Sequence, residues 1–371
     1  MTITEFKSHF FYSPDRANFN NAGQAAIPDV NVKTAQLWLD RIYQEGASCA
    51  MAGWGETEVV RKKIALFLGA ETEEVAYFQT TASAISQAAF GIPLNPGDEI
   101  LTWDQEYPSN FYPWNVAAKA KRAKIVSVAS ENWETPTEKL IAAITEKTKV
   151  IAVSWVQYQT GSVTDLKKIA DHVNGRDIWL VADIIQGAGV RPFSFKDSGF
   201  DVVCGGSHKW MCSSYGAGYM IIKKSRIDQM QPLEYGAMTY GDPDTTKNIT
   251  NTVKSTSHKF EPGSKAMIEV IAMGATLDLF QKIGIDNIFA EASRLGALLR
   301  SGLKYIGFSV LDQSGPFVSL YCKDHEQLKV AEAKLKKAHI AYGPHRGPGI
   351  RLSAHACNRD AEIEYLLKTL R

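Results

Sequence analysis

Two residues set the chemistry open to this chain. Asp183 closes an apolar run, Ile178-Trp-Leu-Val-Ala182. Lys209 follows a second run, Asp201-Val-Val-Cys204, after Gly205, Gly206, Ser207 and His208. If both runs are strands of one open sheet, the acid and the lysine stand at neighbouring carboxyl ends, where such sheets bind ligands. A lysine between an apolar strand and Trp210-Met211 is set for burial, which disfavours the ammonium form. The neutral amine can then form a Schiff base with a carbonyl cofactor. An ionised aspartate against a pyridine nitrogen keeps that ring protonated and electron-withdrawing. Lysine and aspartate together are the reacting pair of a pyridoxal 5'-phosphate site.

Further residues fit around that pair. Thr80 and Thr81 join the run Val75–Phe78 to a helical pattern beginning near Ala82. Helix N-terminal amides and two hydroxyls suit a phosphate dianion, with ordinary threonine capping as the alternative. Tyr107 follows the run Glu99–Thr102 and can stack on an aromatic ring. Tyr158 follows the run Val150–Ser154 in the same way; among 14 tyrosines, packing is the alternative for each. Gln186, three residues past Asp183, can reach the cofactor's phenolic oxygen if the aspartate holds the nitrogen. Arg351 sits in a short apolar run, Ile350–Ser353, where burying a charge is unfavourable unless a partner offsets it. A bidentate grip on a substrate carboxylate would do so, and a structural ion pair is the alternative. No Walker loop and no Gly-x-Gly-x-x-Gly fingerprint occurs, which argues against nucleotide binding.

These residues need a scaffold, and the hydrophobic pattern supplies one. Strand-like runs at Val75–Phe78, Glu99–Thr102, Lys124–Val128, Val150–Ser154, Ile178–Ala182, Val202–Cys204 and Tyr219–Ile222 alternate with helical patterns near 30–45, 57–68, 83–92, 109–121, 137–145 and 165–174. That alternation predicts an α/β fold, a mainly parallel sheet covered by helices on both faces. A polar segment from Gly241 to Lys259 breaks the pattern. Two long helices follow, Ser264 to about Lys282 and Asp286 to about Tyr305. The tail reads as a smaller unit of strands (Phe308–Leu311, Phe317–Tyr321, Ile350–Ser353) and helices (Gln327–Ala338, Asp360–Leu370).

Composition narrows the partners. A chain of 371 residues exceeds one ordinary core, so two domains are expected. With 45% hydrophobic and 22% charged residues the protein reads as globular and soluble. A net charge of +1 without a basic block argues against nucleic acid and against an anionic membrane surface. No apolar stretch approaches the ~18 residues of a membrane span, and the first residues lack the basic-then-apolar order of a signal peptide. Five scattered cysteines without a Cys-x-x-Cys pair suit a reducing cytoplasm and unpaired, buried thiols. The histidines lack metal-ligand spacing.

Taken in order, Asn18-Phe-Asn-Asn-Ala-Gly23, Thr80-Thr81, Glu106-Tyr107, Asp183–Gln186, His208-Lys209, Phe260-Glu-Pro-Gly-Ser264 and Ile350-Arg-Leu-Ser-Ala-His355 make the chain resemble the class V aminotransferase family of fold-type I pyridoxal-phosphate enzymes. That family includes cysteine desulfurases, selenocysteine lyases, kynureninases and isopenicillin-N-epimerase-like proteins. The resemblance implies a fold-type I transferase: a large pyridoxal-phosphate domain (residues 15–258) with a mainly parallel seven-stranded sheet, and a smaller α/β domain from both chain ends (1–14 and 259–371). It implies that Lys209 carries the cofactor, Asp183 faces the pyridine nitrogen and Gln186 the phenolic oxygen. Thr80, Thr81 and His208 would hold the phosphate, with Tyr107 stacking and Tyr158 beside it. Arg351 would take the substrate carboxylate, with Asn21 a further substrate contact; His345 and Arg346, just before the arginine strand, are candidates for shaping specificity by position. Ser264 would reach the cofactor phosphate of a partner subunit, which implies a homodimer.

The departures from that pattern carry expectations of their own. The segment Ala341–Gly349 contains no cysteine, which argues against transfer of sulfur through a persulfide. Gly206 stands where many relatives place a serine, and Cys357 is expected to be structural. Trp54, in a predicted Gly53-Trp-Gly55 loop, is a further candidate for shaping specificity. The reaction is left between β-elimination and transamination, with epimerisation behind them. A non-catalytic ligand-sensing protein on the same fold is the rival from another class, disfavoured because sensing would not require Lys209, Asp183 and Arg351 together.

Overall fold

The apolar runs of the first 222 residues become the strands of one sheet. The computed structural model describes residues 1–241, 251–311, 314–321, 325–346 and 349–371. The chain opens with α1 (Ile3–Ser8), β1 (Ala17–Asn18), α2 (Asp29–Glu45) and α3 (Ala50–Leu68). There follow β2 (Val75–Phe78), α4 (Thr81–Gly91), β3 (Glu99–Trp103), α5 (Tyr112–Lys121), β4 (Lys124–Val128), α6 (Thr137–Ala142) and β5 (Thr148–Ser154). Next come α7 (Leu166–His172), β6 (Trp179–Asp183), α8 (Phe195–Ser198), β7 (Val202–Gly206) and β8 (Gly218–Ile222).

The seven strands β2 to β8 lie in the order β2-β8-β7-β6-β5-β3-β4. Neighbours from β7 to β4 pair in parallel, while β8 is antiparallel to both β7 and β2. Six of the seven strands therefore point one way, and the loops after β2, β3, β5, β6 and β7 emerge at one edge. This is the mainly parallel sheet that the sequence pattern predicts.

Side chains alternate between two cores as the pleat requires. Along β6, Leu180 and Ala182 enter one core while Trp179 and Val181 enter the other. The first core is closed by Val60 and Ile64 of α3, and by Val270, Met273 and Leu277 of α9 (Met267–Ile283). The second is closed by Ala84, Ile85 and Ala88 of α4 and by Trp114 of α5. Each fully buried large side chain contributes roughly 1.5–3 kcal/mol.

Helix α3 begins at Ala50, seven residues before the predicted start, because Gly53 and Gly55 suggested a loop. The packing explains Gly53: a Cβ there would come 2.1 Å from Met267 Sδ. The glycine is a close-approach residue between helices, and Trp54 is helical.

The rest of the chain forms a third core. Helices α10 (Ile285–Tyr305), α11 (His325–Lys337) and α12 (Asp360–Leu370) pack on an antiparallel sheet of β9 (Ser309–Val310), β10 (Phe317–Tyr321), β12 (Gly343–Arg346) and β13 (Gly349–Ser353). The remaining strand, β11 (Ile340–Ala341), pairs in parallel with β1. Ala17 and Phe19 enter this core too. Ser353 N donates to Phe19 O at 2.7 Å, so the segment after β1 crosses the end of β13 and carries Asn20 to Gly23 toward the sheet edge. Among the described residues no helix is long and apolar enough to cross a membrane.

Candidate active site

At that sheet edge lies a cavity of about 490 Å³. Its walls come from five strand-end loops, the crossing segment and β13. It gathers Thr80, Thr81, Tyr107, Tyr158, Asp183, Gln186, His208, Lys209 and Arg351, nine of the residues singled out from sequence.

Asp183 is the last residue of β6 and is 5% exposed. Its Oδ1 accepts from Ile185 N at 2.9 Å. Burial raises its pKa to about 6, against the opposing pull of the Ile185 amide and Lys209. A carboxyl held near that value gains strongly from a cationic partner, which a protonated pyridine nitrogen would be.

Lys209 is half-buried, with Nζ 5.5 Å from the centre of the Tyr107 ring. Burial lowers its pKa to about 8; Asp183 opposes this and Arg351 adds to it. The amine is therefore far easier to deprotonate than an exposed lysine. His208 is held down to about 4 by burial and by Lys209, so its imidazole is neutral at pH 7. Its ring stacks on Tyr215 at 4.5 Å.

The residues expected to hold the phosphate, Thr80, Thr81 and His208, line the cavity. Thr81 opens α4, is 7% exposed, and its buried Oγ1 has no hydrogen-bond partner among the described residues. Orphaned buried hydroxyls are uncommon and point to an absent acceptor. Thr80, the exposed N-cap, already accepts from Ser83 N at 3.0 Å, so Thr81 has the freer hydroxyl. Gly206 keeps the cradle open: a Cβ there would lie 2.8 Å from Thr81 Oγ1. Any side chain at this position would crowd the Thr81 hydroxyl. The helix N-terminus, the unpartnered hydroxyl, the neutral imidazole, the buried acid and the lysine together fit pyridoxal 5'-phosphate.

Of the assigned substrate contacts, Asn21 does not line the cavity. Asn21 is wholly buried and turned away from the cavity, its Nδ2 bonded to Ser353 O at 2.8 Å and Asn358 Oδ1 at 3.0 Å. The cavity residue is its neighbour Asn20, whose Oδ1 accepts from Arg351 Nη2 at 2.8 Å. Asn20 bridges Ser353 and Asn21 opens a turn closed by Gly23 N donating to Asn20 O at 2.8 Å, and of the two only Asn20 lines the cavity. His345 and Arg346 close β12, and their side chains lie outside the described residues. Ser264 is exposed and does not line the cavity.

Arg351 is 5% exposed, and its Nη1 donates to Tyr158 O at 2.6 Å. Gln186 is braced from both sides, donating to Ala22 O at 3.1 Å and accepting from Trp210 Nε1 at 2.9 Å. Tyr107 and Tyr158 meet edge to face at 5.1 Å.

Glu106 escaped the sequence reading as a site residue although it precedes Tyr107. It accepts from Ser154 N at 2.7 Å, Asn110 Nδ2 at 2.9 Å, Gln157 Nε2 at 3.2 Å and the Ser154 hydroxyl. It thus ties the Tyr107 loop to the loop bearing Tyr158. Burial raises its pKa to about 7 despite those donors, and Asp183 adds to the rise. Only its place in the Glu-Tyr pair could have signalled this.

The match with a family model for Aminotransferase class-V extends over residues 18–366. The chain belongs to the class-V aminotransferase family. A "Probable cysteine desulfurase" of Halalkalibacterium halodurans is 30% identical over 236 residues, 62% of this chain. The chain spans only 57% of that relative's length. An uncharacterized aminotransferase of Bacillus subtilis is 23% identical over 355 residues, covering 94% of this chain and 91% of the relative. The apo structure of a cysteine desulfurase from Thermococcus onnurineus NA1 superposes with a TM-score of 0.87 at 20% identity, covering 99% of this chain and 97% of the other. This class-V member therefore has the fold of the pyridoxal-phosphate enzymes, and its site residues fit that cofactor.

Proposed function

We propose that the protein removes the Cα proton of a monocarboxylic α-amino acid and expels a substituent from Cβ. One observation carries this reading: the half-buried Lys209, with a lowered pKa, shares a cavity with a carboxylate receptor, Arg351. The bound cofactor supplies an electron sink for charge developing at Cα. Arg351, fixed by Tyr158 O and Asn20, receives the α-carboxylate and sets the orientation of the amino acid. The Lys209 amine, lowered to about 8, would take the Cα proton of the bound amino acid. Asp183 would hold positive charge at the cofactor's ring nitrogen, and Tyr107 would cover its ring.

The cavity's charge bears on the substrate's carboxylates. Among its described lining residues the cationic side chains at pH 7 are Lys209 and Arg351. With Lys209 engaged by the cofactor, Arg351 is the carboxylate receptor left among the described lining residues, which suits a substrate with one carboxylate. The names of the relatives give no support to excluding persulfide transfer. That exclusion rests on the lack of cysteine between Ala341 and Gly349, and on a cavity with no cysteine among its described lining residues. We read the reaction as direct loss of the β-substituent without a protein thiol as acceptor.

The test is the visible spectrum of the purified protein before and after addition of single amino acids. A band near ~410–430 nm, of the kind a lysine-linked cofactor gives, is expected to persist while pyruvate accumulates from cysteine or serine derivatives. Conversion to a pyridoxamine-like band would establish transamination instead. A protein that stays colourless with added cofactor would end the reading. Arg351→Ala is expected to raise KM for α-carboxylate substrates by about 10- to 100-fold, the value of a lost charged hydrogen bond, while leaving the cofactor band in place.

The homodimer belongs to the same reading. Ser264 is exposed, and its segment is pinned by the buried Glu261, so it is free to meet a second copy. Sedimentation giving only the monomer mass would remove the homodimer from the proposal.

A further inference from the structure

Tyr215 lines the cofactor cavity, yet it is 61% exposed. The loop that carries it is tied to Ser207, the residue before His208. Ser207 N donates to Ala217 O at 3.1 Å, the Ser207 hydroxyl donates to Ser214 O at 2.7 Å, and Ser213 N donates to Ser207 O at 3.0 Å. These three bonds fold the loop back on itself, and Gly216, at φ +98°, turns it toward β8. The Tyr215 ring is thereby set against the His208 ring, with 4.5 Å between centres and 25° between planes. Neither the phenol hydroxyl nor the imidazole makes a hydrogen bond to another described residue.

The position of the imidazole gives that contact a task. A Cβ built at Gly206 would lie 2.8 Å from Thr81 Oγ1 and 3.7 Å from His208 Nδ1, so both atoms border the one space that the glycine leaves open. Thr81 opens α4, and a phosphate in that space would meet the hydroxyl, the ring nitrogen and the helix amides together. The helix fixes Thr81, but nothing of the kind fixes His208. His208, Thr80, Thr81 and Tyr215 also line a second cavity, of about 290 Å³, that runs on to Glu269. An imidazole without a hydrogen bond beside that volume has room to turn away from Gly206. Among the described residues the one ring that meets it is Tyr215.

We propose that Tyr215 is a positioning residue for the cofactor: by stacking on His208 it keeps the imidazole over Gly206, facing the phosphate. The face of the phenol ring does this, and its hydroxyl takes no part. The role rests on the fit of the cofactor to this site and is the same for elimination and for transamination.

The test strips the holoenzyme of its cofactor and titrates it back, reading the return of the visible band. Tyr215→Ala is expected to raise the dissociation constant for pyridoxal 5'-phosphate by about 2- to 12-fold, the value of one aromatic pair. Tyr215→Phe is expected to keep the parent value. Pyridoxal, which lacks the phosphate, is the control probe: it reports on the folded lysine site, and its constant should be the same in all three proteins. His208→Ala alone should weaken the phosphate form by about tenfold or more, and adding Tyr215→Ala to it should weaken it no further. An unchanged constant in Tyr215→Ala, an equal loss for pyridoxal, a Phe variant as weak as the Ala one, or additive losses in the double variant would each overturn the proposal. A parent protein that takes up neither pyridoxal nor its phosphate would overturn the cofactor assignment itself, and the proposal with it.

Discussion

Arg61 and Lys209 are both basic side chains withdrawn from bulk water, yet burial leaves one fixed in charge and the other ready to lose it. Arg61 is wholly buried between Glu58 and Glu261. Its Nε and Nη2 donate to Glu58 at 2.8 and 3.0 Å, Nη2 also donates to Glu261 at 3.0 Å, and Nη1 donates to Val75 O at 2.6 Å. Lys265 adds a second cation 3.0 Å from Glu261. Burial alone would raise Glu261 and lower Arg61, but their pairing outweighs it: Glu261 falls below the usual carboxylate range and Arg61 rises. In and behind the cavity wall the balance is reversed. Asp183 and Glu106 are raised and Lys209 is lowered, each with burial as the largest cause. A buried charge with its partners in place is structural. One whose partner has still to bind is poised for chemistry.

The contrast breaks most sharply at the two cations. Lys209→Ala is expected to lower turnover by ~10⁴-fold, the upper range for a removed proton-transfer group. Its melting temperature should equal or exceed that of the parent protein, since a desolvated lysine is removed. Arg61→Met should do the opposite. Leaving Glu261 and Glu58 with Lys265 and His258 but without the guanidinium should destabilise the fold by ~3–5 kcal/mol, read by urea unfolding, while any correctly folded fraction keeps its cofactor band.

Glu106 sharpens the comparison through pH. Its folded pKa, about 7, lies above its ordinary 4.5, so the folded state holds the extra proton between those values. Stability is therefore lost as pH rises from about 4.5 to 7. Glu106→Gln should remove ~3 kcal/mol of that loss, measured on the cofactor-free protein at pH 5 and 7.5. A smaller slope from Asp183, raised from 3.8 to about 6, should remain. The smallest effect is expected from Asp183→Asn, a ~10- to 100-fold fall in turnover accompanied by a displaced absorption maximum. An unchanged spectrum would detach Asp183 from the ring nitrogen.

Much of the scaffold was legible because its signals are local. Strand β6 alternates between two cores and ends on an acid, and that pattern alone places Asp183 at the sheet edge. Val75–Phe78 followed by Thr80-Thr81 marks a strand-to-helix turn in the same way. Asn20 and Asn21 were not separable, since their facing depends on where the segment crosses β13. Glu106 looked like a polar loop residue, because its four donors come from Asn110 and from a strand end and loop about fifty residues on. Gly53 looked like a helix breaker until Met267 was seen against it.

The sequence by itself determined the order of strands and helices, the strand-end placement of Asp183 and Lys209, and the residue types around the cofactor. Periodicity and turn chemistry act over a few residues, so they can be read one segment at a time. Tertiary structure alone decided that Asn20 rather than Asn21 meets Arg351, and that Arg61 is matched by carboxylates while Lys209 is not. Those outcomes depend on contacts between residues up to some 330 positions apart. Desolvation and pairing are set by what packing brings together, and no local pattern encodes it.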